Sequence, residues 1–195
     1  MIRFLDILFS LIGIVILMPF FLIIAILIKC YSPGPVFYKQ SRVGINGKDF
    51  YLLKFRTMYV NADQKGLLTV GGRDPRVSGI GYYLRNYKLD ELPQLLNVLI
   101  GEMSLVGPRP EVRKYVELYT REQARVLNVK PGITDWASIK YKDENDILAK
   151  ATDPECTYIE IVMPEKIKLN MIYIDKQNIA HYIKIIFATF FRILK

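Results

Sequence analysis

The chain carries a long stretch without charged side chains close to its beginning. From residue 7 to residue 28, only Ser10, Gly13 and Pro19 interrupt the large apolar side chains. At ~1.5 Å per residue, a helix of this length crosses the hydrocarbon core of a bilayer. No small-x-small cleavage site follows, and Lys29 closes the run, unlike a secretory signal peptide. The stretch therefore predicts a membrane-embedded helix.

The path of this helix through the membrane has two interpretations. Pro19 removes a backbone hydrogen bond and crowds the preceding turn, so a kink is expected there. Basic residues lie on both sides of the run, with Arg3 before it and Lys29, Lys39 and Arg42 after it. The positive-inside rule therefore does not place the two ends in opposite compartments. A re-entrant helix satisfies both observations. An ordinary single-pass anchor is the alternative, and the residues alone slightly favour it, since proline is tolerated in spanning helices.

We assign residues 1–31 to the membrane helix and residues 32–195 to a catalytic-sized domain that begins at the breakers of 32–35. Two β-prone runs, 36–38 and 50–53, flank Asn46-Gly47, the strongest short signal for a hairpin. The expected fold class is α+β, mostly helical, with a small β-hairpin and amphipathic helices at the membrane interface.

Four further segments have helical patterns. They are residues 82–87, 111–129, 154–175 (with Pro164 starting or kinking a helix) and 178–195. The last places apolar residues on one face, including Ile183, Phe187 and Phe190, with Lys184, Arg192 and Lys195 elsewhere. It suits a membrane surface, and packing on the domain core is the alternative.

The composition of the chain limits the partners it can bind and the catalytic groups it can use. The chain has 27 basic and 19 acidic residues and a net charge of +8, which suits nucleic acid, an anionic membrane or a phosphorylated substrate. Its two cysteines are neither a disulfide framework nor a metal cluster. With His181 as the one histidine, a histidine-rich metal site is excluded, and the composition disfavours a Ser/His or Cys/His nucleophilic apparatus. Any catalysis depends on carboxylates, lysines and arginines.

Two motifs concentrate such side chains, and we interpret them as the two sides of one phosphate-handling site. Asp90 and Glu91 precede an apolar helical run, and Arg109 lies between two prolines that restrict its conformation. Both carboxylates at a helix start can approach one Mg²⁺ or Mn²⁺, and the arginine can bind phosphate at low entropic cost. A simple helix N-cap is an equally weighted interpretation of Asp90. On a continuing strand, Lys54 and Arg56 share a face and could hold a phosphate, or simply be solvated.

The motifs follow one another in a recognisable order. They are Gly34-Pro35-Val36-Phe37-Tyr38 with Gln40, Arg42 and Gly44; Gly47-Lys48 and Lys54-Phe55-Arg56-Thr57-Met58; Asp74-Pro75-Arg76; Leu89-Asp90-Glu91-Leu92-Pro93-Gln94 with Asn97-Val98; Gly101-Glu102-Met103-Ser104 with Val106-Gly107-Pro108-Arg109-Pro110; and Lys130-Pro131-Gly132-Ile133-Thr134. In order and spacing the chain resembles the bacterial sugar transferases known as monotopic phosphoglycosyl transferases, and among them the minimal form.

The resemblance implies transfer of a sugar-1-phosphate from a nucleotide diphosphate sugar, usually a UDP-sugar, to polyprenyl phosphate, with release of UMP and initiation of a surface glycan. It implies that Asp90 is the nucleophile of a covalent phosphosugar intermediate and that Glu91 lies at the Mg²⁺. Further cationic family positions, for which we infer phosphate contact, are Lys54, Arg56, Arg85 and Arg109. It also implies a re-entrant helix, a catalytic domain on the cytoplasmic side of the bacterial inner membrane and, as partners, membrane lipids and downstream glycosyltransferases rather than nucleic acid.

Three departures from the family pattern stand out. Met18 replaces the serine that often precedes the kink proline, Asp135 replaces a glycine, and Asn170 stands where relatives often have aspartate. We assign Asn170 no acid role. The alternative function is a non-catalytic basic adaptor at the membrane surface, which leaves Asp90-Glu91 and Arg109 unexplained.

Overall fold

The structure is a computed structural model that describes residues 1–60, 62 and 74–194. The helices in this part of the chain are α1 (Ile2–Tyr31), α2 (Gly79–Asn86), α3 (Gln94–Ile100), α4 (Arg113–Val116), α5 (Trp136–Lys140), α6 (Glu144–Ala149), α7 (Pro154–Thr157), α8 (Met163–Asp175) and α9 (Ile179–Leu194). The strands are β1 (Phe37–Val43), β2 (Asp49–Phe55), β3 (Ser104–Val106) and β4 (Gly132–Thr134). The expectation of a mostly helical chain with a small sheet is confirmed.

Helix α1 is the predicted apolar helix, with Pro19 inside it. Within the described ranges it is the one helix long and apolar enough to cross a membrane. One stripe of the helix packs on the rest of the chain, through Asp6, Ser10, Ile14, Phe21, Ile24 and Ile28. Large side chains such as Val15, Ile16 and Phe20 are exposed on the remaining surface. The helix therefore presents one face to the domain and an apolar face outward.

Strands β1 and β2 form the predicted antiparallel hairpin, in a register that pairs Phe37 with Phe55. At its turn Asn46 and Gly47 have φ angles of 56° and 72°, the left-handed conformation that asparagine and glycine tolerate best. The ring of Phe55 stacks on Phe37 and meets Phe21 of α1 edge-on, with centroid distances of 5.4 and 5.3 Å. This aromatic cluster attaches the hairpin to α1.

Strands β3 and β4 form a parallel pair that the sequence pattern did not predict. Two glycines allow the backbones to approach just beyond β3, because a Cβ on Gly132 would lie 2.0 Å from the nitrogen of Gly107. The peptide N–H of Gly132 donates to the carbonyl of Pro108 at 2.9 Å. The pairing therefore places the turn of residues 108–110 beside the start of α5.

The helix predicted over residues 111–129 is wrong. The chain forms only the short α4 there, followed by a 3₁₀ helix at Gln123–Asn128. Thr120 and Gln123 explain the break, since the N–H of each donates to the side-chain oxygen of the other, at 2.9 and 3.2 Å. This reciprocal arrangement is a helix-start signal, so a new turn begins in mid-segment.

The predicted helical region 154–175 is confirmed, as α7 and α8 joined by a π-helical turn at Tyr158–Val162. Pro164 lies in the first turn of α8, where a missing N–H costs little.

In α9, Tyr182 and Ile185 are buried against the domain, as the core-packing alternative expected, while Phe187 and Phe190 remain exposed. Lys195 lies outside the described residues.

A buried aspartate connects three elements. Asp6, which is 2% exposed, accepts hydrogen bonds from the Ser104 hydroxyl and the Leu105 N–H at 2.9 Å and from the Tyr182 hydroxyl at 2.8 Å. Three elements distant in sequence, α1, β3 and α9, therefore meet at one carboxylate.

Candidate active site

The two adjacent carboxylates lie in a short 3₁₀ turn, Leu89–Glu91, ahead of α3. Lys88 precedes it with φ 56° and ψ 20°, a left-handed conformation uncommon for lysine. Pro93 is the N-cap of α3, and neither helix start has a side-chain cap. The N-cap interpretation of Asp90 is therefore wrong, because its carboxylate does not close a helix end.

Glu91 is bound by two cations from distant segments. Arg109 donates Nη1 to Oε2 at 3.0 Å and Nη2 to Oε1, and Lys54 Nζ lies 3.4 Å from Oε1. Burial by itself raises the pKa of the Glu91 carboxyl, but the charges of Arg109 and Lys54 more than offset it and hold that pKa well below its usual range. Glu91 is therefore ionised and fixes the guanidinium of Arg109.

Asp90 has a different environment from Glu91, although the two residues are adjacent in the sequence. It is 8% exposed, and its carboxylate accepts no hydrogen bond from the residues that the structure describes. Burial, and then the negative charge of Glu91, raise its pKa, against the opposing charges of Lys54 and Arg85. Asp90 is thus a desolvated carboxylate beside fixed positive charges, an arrangement typical of a reactive group.

The turn that carries Arg109 is held from three sides. The Arg109 N–H donates to Oδ2 of Asp135 at 3.0 Å, and Arg42 donates to the carbonyl of Pro110 at 3.3 Å. Gly132 binds the Pro108 carbonyl from β4. Asp135 is 1% exposed and also caps α5 by accepting from the N–H of Ser138. The sequence marked Asp135 only as a departure, whereas the structure makes it a support for the arginine.

The predicted pair of strand cations separates in the structure. Lys54 reaches Glu91, but the guanidinium of Arg56, which is 6% exposed, donates to the carbonyls of Ser32 and Pro33 at 2.6 Å each. Lys54 and Arg56 therefore contact different groups in this structure, and their shared contact with a phosphate stays a prediction. Arg85, in the last turn of α2, is half-buried, and its charge acts on Asp90.

Sequence reasoning missed a buried cluster behind Arg109. Arg42 Nη1 lies 3.0 Å from Oε1 of Glu111, and the Tyr158 hydroxyl donates to the other oxygen of that carboxylate. In the sequence, the position of Glu111 directly after Pro110 was the signal that could have indicated this cluster. The cluster joins the hairpin, the proline-flanked turn and the π-helical turn near α8, so it stabilises the position of Arg109.

The donor chemistry of the two carboxylates fits Mg²⁺, which takes hard oxygens and often uses one or two carboxylates with water and phosphate. An ionised carboxylate offers about four acceptor positions. Arg109 and Lys54 occupy three of those of Glu91, and Asp90 keeps its own open. Across residues 1–60, 62 and 74–194, no group of three or more His, Cys, Asp or Glu is arranged to hold a metal. A cation here would depend on these two side chains and on substrate.

Comparison with known proteins connects this geometry to a family. The family model described as "Bacterial sugar transferase" matches residues 1–195. The chain is 37% identical over 191 residues to the UDP-glucose:undecaprenyl-phosphate glucose-1-phosphate transferase of Escherichia coli (strain K12), covering 96% of this chain and 39% of that protein. It is 38% identical over 195 residues to the UDP-N-acetylgalactosamine-undecaprenyl-phosphate N-acetylgalactosaminephosphotransferase of Aeromonas hydrophila, covering 98% and 43%.

A third relative is similar in length. An uncharacterized sugar transferase of Bacillus subtilis (strain 168), EpsL, is 41% identical over 161 residues, which cover 83% of this chain and 71% of that protein. By contrast, the chain spans about two fifths of the Escherichia coli and Aeromonas hydrophila proteins. The similarity to those two relatives therefore concerns the part of each that this chain matches.

Proposed function

Because the chain belongs to the bacterial sugar transferase family, we propose that it transfers a sugar-1-phosphate from a UDP-sugar to undecaprenyl phosphate and releases UMP. The names of the relatives support this donor class and this acceptor. The observation that carries the proposal is the buried carboxylate of Asp90, without a hydrogen bond from the described residues, beside the Glu91–Arg109 ion pair.

In the first step of the proposed mechanism, a carboxylate oxygen of Asp90 attacks the β-phosphorus of the donor. The bond from this phosphorus to the oxygen that bridges it to the α-phosphate breaks, and UMP leaves with the electron pair. In the second step, a phosphate oxygen of the lipid attacks the same phosphorus. The bond to Asp90 breaks, which frees the carboxylate and leaves the sugar joined to the lipid through a diphosphate.

The surrounding cations suit the charge that develops in both steps. Arg109 and Lys54 are held by Glu91 before any substrate arrives, so little reorganisation is needed when the phosphate binds. Burial strengthens their attraction for phosphate oxygens relative to water. Burial of Asp90 also removes solvent that would stabilise its charge and weaken it as a nucleophile.

Asp90 and Glu91 are the residues that would hold Mg²⁺, or Mn²⁺. The bound ion would neutralise charge on the diphosphate of the donor. Glu91 has a second role in this scheme, because it positions Arg109 whether or not a cation is present.

The contacts of α1 support a re-entrant path with the domain on one side of the membrane, and the basic residues at both ends of the helix favour the cytoplasmic side. Near the start of the helix, Arg3 donates to the carbonyls of Val98 and Leu99 at 2.5 and 2.8 Å. Beyond its other end, the carbonyls of Ser32 and Pro33 accept from Arg56. Both ends therefore contact one domain, an arrangement that a helix with its ends in opposite compartments would not favour.

Thiol labelling tests this path. In a Cys156→Ser background, Cys30 and a cysteine introduced at Ile2 should react with a membrane-impermeant reagent in inside-out vesicles and not in right-side-out vesicles. Reaction of the two positions from opposite sides would instead establish a single-pass anchor.

The activity test is UMP release by the detergent-solubilised protein from a panel of UDP-sugars. With undecaprenyl phosphate and Mg²⁺ we expect continuous release, which a chelator stops. Without the lipid we expect at most one UMP per protein molecule and a sugar-phosphate adduct on the peptide that contains Asp90. Asp49→Asn, at an exposed carboxylate paired with Arg113, is the matched control and should remain active.

Lipid-dependent UMP release without any adduct, retained by Asp90→Asn, would indicate direct transfer. No UMP from any donor, with membrane binding intact in both wild type and variant, would favour the adaptor.

A further inference from the structure

Lys88 has a backbone conformation that lysine rarely adopts. It lies two residues beyond α2, directly before the carboxylate turn, with φ 56° and ψ 20°. Left-handed residues commonly end helices, but glycine occupies that place most often because a Cβ is unfavourable there. This chain follows the preference at the end of α3, where Gly101 has φ 98°. The lysine at the end of α2 therefore requires an explanation beyond the turn itself.

The side chain of Lys88 does not hold the fold together. It is exposed, and its ammonium group makes no hydrogen bond or ion pair with the residues that the structure describes. Lys54 and Arg109, by contrast, are both bound to Glu91. A strained backbone beside an active site is typical of a residue that is retained for function.

Lys88 is fixed close to the carboxylate of Asp90. Its N–H donates to the carbonyl of Arg85 at 3.1 Å, and its carbonyl accepts from the N–H of Glu91 at 3.3 Å. Consecutive Cα atoms are ~3.8 Å apart, so the Cα atoms of Lys88 and Asp90 are separated by less than about 7.6 Å. The flexible four-carbon stem of lysine spans much of such a distance. The ammonium group can therefore reach a phosphate that is bound at Asp90.

The charge of Lys88 acts on both carboxylates of the site. Burial is the main influence on the pKa of Asp90 and raises it, and Lys88 is one of the cations that oppose this rise. Burial also raises the pKa of Glu91, and the charges of Arg109, Lys54 and Lys88 lower it. The positive potential of Lys88 therefore extends to the place where a phosphate has to bind for attack by Asp90.

The ligand that suits such a group is a phosphate. An ammonium group is a compact charge with three donors, which can bind phosphate oxygens without a fixed geometry. The guanidinium of Arg109 is already held by Glu91, whereas the exposed side chain of Lys88 can adjust to a phosphate as it enters. Both substrates of the proposed reaction present phosphate, the donor as a diphosphate and the lipid as a monophosphate.

We propose that Lys88 is a further phosphate-binding residue of the active site, and that its ammonium group binds a phosphate oxygen of the substrate beside Asp90. The proposal rests on the proposed function and adds a substrate-binding residue to it. The shared chemistry is the phosphate oxygen, which either the UDP-sugar or the lipid supplies. The left-handed lysine is retained because its charge contributes to substrate binding.

The test measures kcat/KM of the detergent-solubilised protein separately for the preferred UDP-sugar and for undecaprenyl phosphate. In a two-step reaction through Asp90, each value reports the step that consumes that substrate. Lys88→Gly should lower at least one value about tenfold, because a phosphate loses a charged partner. A lower value for the UDP-sugar assigns the contact to its diphosphate, and a lower value for the lipid assigns it to the lipid phosphate.

Three readouts separate a phosphate contact from a structural role. Lys88→Arg keeps the charge and should stay within about threefold of wild type. The loss in Lys88→Gly should shrink as salt is added, since screening weakens the wild-type contact. The thermal midpoint of Lys88→Gly should be unchanged or higher, because glycine suits the left-handed conformation. As a control, Lys168→Met removes another exposed charge, from α8, and should match wild type at each salt concentration.

Several results would overturn the proposal. They are an unchanged kcat/KM for both substrates in Lys88→Gly, equal losses in Lys88→Gly and Lys88→Arg, and a salt-independent loss with a lower thermal midpoint. In these cases the wild type still turns over, so the proposed function stands. Absence of lipid-dependent UMP release by wild type with every donor removes the proposed function, and the role of Lys88 with it.

Discussion

Two buried aspartates in this protein have opposite surroundings. Asp6 on the apolar helix α1 is 2% exposed and accepts three hydrogen bonds, from Ser104, Leu105 and Tyr182. Asp90 is 8% exposed and accepts none from the described residues. Both positions remove a carboxylate from water, and only the first replaces the lost hydration with protein donors.

The difference separates a structural carboxylate from a reactive one. The three hydrogen bonds to the Asp6 carboxylate link three elements, so its contribution is to folding. Asp90 keeps its lone pairs available, and the cations fixed by Glu91 offset part of the cost of its burial. Substitution of Asp90 should therefore lower turnover, whereas substitution of Asp6 should lower the thermal midpoint.

The largest expected effect is on turnover. Asp90→Asn should lower lipid-dependent UMP release at least about a thousandfold, because an amide is not a nucleophile toward phosphorus. The thermal midpoint in detergent should not fall, since no hydrogen bond from the described residues is lost. Turnover above about a tenth of wild type would contradict the assignment of Asp90 as nucleophile.

Glu91→Gln should lower both turnover and stability. The substitution leaves Arg109 and Lys54 without their counter-charge, and a misplaced Arg109 should reduce turnover about a hundredfold. Because Arg109 is one-third exposed, we expect a stability loss of only about 2–3 kcal/mol. Glu165→Gln removes an exposed pair with Lys140 and should cost less than about 1 kcal/mol without lowering turnover. Equal effects of the two substitutions would refute the special role of Glu91.

Asp6→Ala should act on stability. Three buried donors lose their acceptor, so we expect a loss of about 3 kcal/mol or more, measured as a lower thermal midpoint in detergent. Asp6→Asn keeps an acceptor oxygen and should lose less. Ser10→Ala, whose hydroxyl bonds only within α1, is the control and should be close to wild type. A normal midpoint for Asp6→Ala would show that these bonds do not hold the helix.

The smallest expected effect is at Asp135, which supports the active site from outside it. Asp135→Gly leaves the N–H groups of Arg109 and Ser138 without an acceptor and should lower kcat/KM about tenfold, as Arg109 becomes less well placed. Asp153→Gly removes a comparable cap, at the start of α7, that does not touch Arg109. It should leave kcat/KM unchanged, and an equal loss in both variants would assign Asp135 to stability alone.

The sequence by itself determined the features whose signals are local. The charge-free run predicted α1, Asn46-Gly47 predicted the hairpin, and the proline-flanked Arg109 and the pair Asp90-Glu91 predicted two parts of one site. Each follows from the chemistry of adjacent residues: hydrophobic length, tolerance of positive φ, or restriction by proline.

Only the tertiary structure decided the partners of buried polar groups. The donors to Asp6 are 98 to 176 positions away in the chain, Arg56 turned to the carbonyls of Ser32 and Pro33, and Oδ1 of Asn170 has no hydrogen-bond partner among the described residues. A buried polar atom is stabilised by whichever group packing places within about 3 Å of it. That choice depends on how distant segments meet, which no local pattern of residues encodes.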